Sequence, residues 1–146
     1  MGRGQRVINS GVRGAVAAMA MTGMRSLTSS LGLVEETPPE AVLRQQAPVL
    51  MAKFARESQP AVAELAHWTF GAVAGAGFAL LPARLSNRRW AGAAYGVVVL
   101  TGFEAGIAPL LGLSQARHAR PMERLVFLVD HVLFGLVLAP PQHEQA

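Results

Sequence analysis

Glu64 and His67 stand three residues apart, Asp130 and His131 are adjacent, and Arg25 and Glu104 fall in two further apolar stretches. Ionisable side chains in such surroundings are costly and by default mark function. A carboxylate beside an imidazole can accept and release a proton or hold a cation. Glu64-x-x-His67 also has the spacing with which helix bundles hold paired iron ions, with Glu104 and Asp130 as further carboxylates. The second Glu-x-x-His that such centres use is missing, because Leu128 stands three residues before His131. His67 and His131, each followed four residues later by glycine, could instead clamp a haem between two helices. Glu64, His67 and His131 are therefore the metal-ligand candidates, and a haem or metal cofactor stays open with none favoured. The plain alternative is a buried polar network that fixes helix register.

The elements that must position these groups follow from composition. The chain has 146 residues, 51% hydrophobic and only 15% charged, with 15 glycines and 9 prolines, and its mean hydropathy is +0.32. That balance is poor for a water-soluble domain and suits a single membrane domain over residues 1–146. Cysteine is absent, which removes disulfides, zinc ribbons, iron–sulfur clusters and thiol catalysis. No nucleotide-binding glycine motif is present, and nothing marks the chain as an enzyme.

The predicted fold class is all-α: an integral membrane four-helix bundle with spans over about 9–33, 60–82, 90–111 and 121–140. Arg3, Arg6 and Arg13 ahead of Ala18-Met19-Ala20 have the parts of a signal peptide, but the cleavage-like site lies inside the apolar run, so a retained helix is expected. Between the first two spans, Thr37-Pro38-Pro39-Glu40 has the form of a capping box, and Leu43, Ala47, Leu50 and Phe54 recur at helical spacing. This predicts an amphipathic interfacial helix over about 38–57. Counted from the span ends at 1.5 Å per residue, Glu64, His67, Glu104, Asp130 and Arg25 all fall roughly 6–13 Å below one surface. The expectation is one buried ionisable layer that also includes His131, in which Arg25 pairs with Glu64, Glu104 or Asp130.

Small residues at four-residue spacing mark helix contacts in lipid. Candidates are Gly71 with Gly75, Gly92 with Gly96, Gly102 with Gly106, and Gly135. In the first span Gly11, Gly14, Ala18, Thr22, Arg25 and Ser29 share one stripe. His67-Trp-Thr-Phe70-Gly71 and His131-Val-Leu-Phe134-Gly135 both read His-x-x-Phe-Gly, a weak internal repeat. The basic residues Arg3, Arg6, Arg13, Arg84, Arg88 and Arg89 flank one side of the spans, and Arg44, Lys53, Arg56, Arg117, Arg120 and Arg124 the other. Short-loop weighting slightly favours cytoplasmic termini, and span-flanking arginines explain the net charge of +4 without nucleic acid. His118 and His143 read as solvated.

The glycine-rich first span ending in Met-Thr-Gly-Met-Arg25, the Thr37-Pro-Pro-Glu loop, Ala-His67-Trp-Thr-Phe-Gly, Ala-Tyr95-Gly and Asp130-His-Val-Leu-Phe-Gly together resemble the YagU-like small inner-membrane proteins of bacteria. The resemblance spans roughly 11–138. It implies four membrane helices in the bacterial inner membrane, no established activity, and special standing for His67, Gly71, Tyr95, Gly96, Asp130, His131 and Gly135. The abundance of small-residue faces points to a packing module that partners itself or other membrane subunits within the bilayer. The alternatives are transport of protons, ions or a small solute through the ionisable layer, and a haem or metal redox protein.

Overall fold

The computed structural model describes residues 2–32, 38–112 and 120–139, and these are helical and turn structure without strands. Helix α1 runs Arg3–Ser30. After it come two short helices, α2 (Pro38–Gln46) and α3 (Pro48–Met51), and a 3-10 turn at Arg56–Ser58. Helix α4 covers Gln59–Phe78 and a one-turn α5 Ala83–Ser86. Helix α6 (Ala91–Gly102) passes through a π-helical turn, Phe103–Ile107, into the one-turn α7 (Ala108–Leu110). Helix α8 runs Pro121–Leu138.

The punctuation has local causes. Helix α1 starts earlier than the expected Asn9: no proline stands between Arg3 and Ile8, and Gly4 in the first turn does not stop it. It ends where Gly32 takes a left-handed φ of 69°, and α7 ends the same way at Gly112, φ 64°. Proline takes the start of α8, where its missing N–H is no loss, and the Glu123 carboxylate accepts the Arg120 backbone N–H at 2.9 Å. The expected continuous interfacial helix over 38–57 is broken instead: Pro48 cannot donate and disfavours helical geometry at Ala47, so α2 stops at Gln46. The Thr37 cap, with the rest of 33–37, lies outside the described residues, as do 113–119 with His118 and the stretch from Pro140 onward that includes His143.

The long helices alternate in direction and form two hairpins, α1 with α4 and α6 with α8, joined chiefly where α1 meets α8. Glycine makes each hairpin tight. A Cβ on Gly14 would overlap the Gly71 carbonyl oxygen and stand 2.8 Å from Gly75 Cα; one on Gly71 would stand 2.5 Å from Ala18 Cβ. In the second hairpin Gly92 meets the Gly135 carbonyl, Gly96 the His131 carbonyl, and Gly135 the Gly92 carbonyl, all too close for a side chain. The two His-x-x-Phe-Gly motifs therefore occupy matching places, each glycine meeting the partner helix of its own hairpin. Between the hairpins Tyr95 donates to the Ala74 carbonyl at 2.6 Å, and its ring meets Phe78 edge-on at 5.1 Å. Ala17, Met21, Phe78, Phe134 and Leu138 form the apolar cluster beside it.

Gly102 and Gly106 depart from expectation. A Cβ on either would meet nothing within 4 Å, so this pair contributes no contact inside the bundle. A four-residue repeat continues along both faces of a helix, and spacing alone cannot say which glycines face inward. Gly14, Gly71, Gly75, Gly92, Gly96 and Gly135 each oppose a partner helix within the bundle, which leaves Gly102 and Gly106 as the expected pair without an internal contact.

Among the described residues one helix, Ala91–Leu110 with 20 residues, is by length and composition long and apolar enough to cross a membrane. Large apolar side chains lie exposed along the outer faces of all the long helices: Ile8, Val12 and Val16 on α1, Leu65 and Val73 on α4, Val98 on α6, Leu125, Val129 and Leu136 on α8.

Candidate functional site

Arg25 lies on the buried stripe of α1, only 4% exposed. One helix away on α4, Glu64 reaches it, with Arg25 Nη2 to Glu64 Oε2 at 3.2 Å. The antiparallel hairpin makes this pairing, since Gly14 and Ala18 set α1 against Gly71, and Arg25 then comes level with the start of α4. Thr22 completes the contact. Its hydroxyl accepts from Arg25 Nη2 at 3.2 Å and from Trp68 Nε1 at 3.1 Å, and donates to Glu64 Oε2. Two donors enter the hydroxyl, and its single proton faces both the Glu64 carboxylate and, at 3.2 Å, the Ala18 carbonyl of its own helix. Below it, Thr28 is buried and donates to the Arg25 carbonyl at 3.1 Å. Thr22 and Trp68 were not singled out by sequence reasoning. Thr22's place on the Gly14–Ala18–Arg25 stripe was the available signal; nothing in the sequence marks Trp68.

Across the interior, Asp130 on α8 is 1% exposed, and its Oδ1 has no hydrogen-bond partner. His67 Nε2 on α4 is likewise buried without a partner. His131 is different: its Nδ1 lies 2.8 Å from the Phe127 carbonyl. A carbonyl only accepts, so Nδ1 carries the proton, and in the neutral ring Nε2 keeps a lone pair. Asp130, His67 and His131 all lie within electrostatic reach of Arg25, and the two imidazoles within reach of one another.

Glu104 is not part of it. It is exposed on the π turn. Gly96 opposes His131, and Leu100 packs with Val126 and Phe127, so the register brings Glu104 level with Glu123 in the first turn of α8. That is about 10 Å nearer the surface than Asp130. The expected common depth assumed helix ends in one plane, whereas α6 and α7 run past the start of α8.

The arrangement also bears on ligands. Among the described residues no three His, Asp or Glu side chains converge as a metal would require. Glu64, His67 and His131 do not assemble into a set, because the Glu64 carboxylate is held by Arg25 and Thr22. What the interior offers is the Oδ1 of Asp130 and the Nε2 of His67 without protein partners, in a bundle whose guanidinium is fixed by Glu64. Such a site can accept hydrogen bonds from water, coordinate a cation, or pass a proton between Asp130 and an imidazole.

Neither the curated proteins nor the solved structures contain a match to this chain. A family of unknown function, DUF6789, matches residues 4–141, a stretch that takes in both hairpins and every residue of the buried cluster. The chain belongs to the DUF6789 family of unknown function.

Proposed function

We propose that the chain is a four-span protein of the bacterial inner membrane whose interior cluster of Asp130, His67, His131 and Arg25 takes up and hands on protons. The single observation that carries this reading is Asp130, fully buried with a carboxylate oxygen that no protein group satisfies. Leaving such an oxygen orphaned is expensive. A proton or a hydrated cation offsets that expense, whereas a purely architectural network would close its own hydrogen bonds.

The membrane reading rests on where polarity lies. Helices α1, α4 and α8 turn apolar side chains outward and keep Arg25, Glu64, His67, Asp130 and His131 inside or at the helix contacts. These inward groups lower the hydropathy of their helices without facing lipid. In water the distribution would be inverted. The motifs that resemble the YagU-like inner-membrane proteins are read in the same sense. The proposed orientation puts the end with Arg3, Arg6, Arg84, Arg88 and Arg89 on the cytoplasmic side together with both termini; the basic residues divide equally between the two sides, and the weight given to short loops tips the choice.

The apolar cluster of Met21, Phe78, Phe134 and Leu138 fills the interior toward that basic end. The polar half is therefore closed on one side, and exchange across the membrane requires this plug to move. The experiment is proton flux in proteoliposomes, driven by a pH gradient and read by an internal dye. Flux is expected for the native protein and is expected to fall to the protein-free level for Asp130→Asn, with helical content and thermal unfolding little changed. Flux that survives Asp130→Asn, or none from the native protein, contradicts the proposal. A self-associating module is the second reading, and its support is the outward Gly102 and Gly106.

A further inference from the structure

The basic end of the bundle has a composition unlike the other. Gly75 opposes the Ser10 carbonyl. Continuing the antiparallel register brings Arg6 level with Ala79 and Arg3 level with Pro82, at the start of the turn that carries Arg84, Arg88 and Arg89. All five arginines are exposed. The described carboxylates belong elsewhere: Glu57 and Glu64 at the start of α4, Glu104 beyond α6, Glu123 and Asp130 in the first half or middle of α8. Among the described residues no acid stands at this end to neutralise the arginines. Beside them Trp90 is 57% exposed and Leu85 42% exposed, an aromatic and an aliphatic group at the start of the helix that is apolar enough to span.

We infer that this collar is a binding surface for anionic phospholipid, with Arg84, Arg88 and Arg89 holding the headgroup phosphodiester, Arg3 and Arg6 adding to the field, and Trp90 seated at the level of the glycerol. The chemistry is complementary at each point. A guanidinium matches phosphate oxygens with a bidentate fork, clustered arginines at a membrane surface attract acidic headgroups, and an indole prefers the interface between headgroup and acyl chain. A soluble anion would use the arginines but gain nothing from Trp90 and Leu85, which is why lipid is the occupant. The inference rests on the four-span reading and is independent of proton exchange.

The full chain in a neutral detergent is titrated with phosphatidylglycerol, phosphatidylcholine or inorganic phosphate, and read by thermal unfolding and by lipid retained in native mass spectrometry. Phosphatidylglycerol is expected to raise the unfolding temperature and stay bound, and the other two to do neither. The R84Q/R88Q/R89Q variant is expected to lose affinity by roughly a hundredfold. A matched variant at the opposite end, K53Q/R56Q/R124Q, is expected to keep it. The inference is overturned if the first variant retains phosphatidylglycerol like the native protein, if phosphatidylcholine or inorganic phosphate does as well, or if the second variant loses as much as the first. Extraction of the protein from membranes by alkaline carbonate would instead strike the four-span reading itself, so the two failures are distinguishable.

Discussion

Gly96→Ile is expected to dismantle the α6–α8 hairpin, while Gly102→Ile, six residues along the same helix, leaves the protein stable. A Cβ on Gly96 would overlap the His131 carbonyl oxygen and lie 2.8 Å from the carbonyl carbon. The atoms it would strike belong to backbone, which cannot swing aside as a side chain can. Even Gly96→Ala is expected to destabilise by about 1–3 kcal/mol, as overpacking does elsewhere, and the branched side chain by more. On Gly102 the same Cβ meets nothing within 4 Å. Replacement there also removes a helix-weakening glycine, so the change stays within about 0.5 kcal/mol of neutral. Thermal unfolding of the three variants in one detergent checks this. Equal effects at Gly96 and Gly102 would mean that the glycine contact does not hold the hairpin.

The second large effect concerns the ion pair. Glu64→Leu is expected to destabilise by on the order of 3 kcal/mol, because Arg25 stays buried and loses its carboxylate. Removing both charges as R25M/E64L is expected to recover much of that loss, since neither helix then buries an ion. The double-mutant cycle in thermal or denaturant unfolding isolates the coupling between them. Additive losses would show that Arg25 and Glu64 act on stability separately, and that the 3.2 Å contact contributes little.

Much of this architecture was legible from breakers and small residues. Pro60, Pro82 and Pro121 bounded the second and fourth helices nearly where they lie, and the stripe from Gly14 through Ala18 to Arg25 foretold the buried face of α1. Three things escaped. Ala47-Pro48 breaks the interfacial segment, where the apolar periodicity outweighed the proline. Glu104 was placed by counting from its own helix end, but depth in a bundle is set by register against neighbours, which only the contacts at Gly96 and Leu100 reveal. Thr22 and Trp68 close the Arg25–Glu64 contact through hydrogen bonds between residues far apart in sequence. The paired hairpins had a second, unread signature: Leu31-Gly32 and Leu111-Gly112 both end the first helix of a hairpin at a left-handed glycine.

The native chain has no cysteine, so single cysteines can be introduced against a silent background. The most direct test of the four-span bundle is the labelling of such cysteines, one at a time, at Gly2, Ser86, Ala52 and Met122, by a membrane-impermeant maleimide in intact and in opened inner-membrane vesicles of known sidedness. The account predicts that Gly2 and Ser86 react together from the cytoplasmic face, and that Ala52 and Met122 react together from the other. Labelling of all four from one face, or of Gly2 and Ser86 from opposite faces, would contradict it.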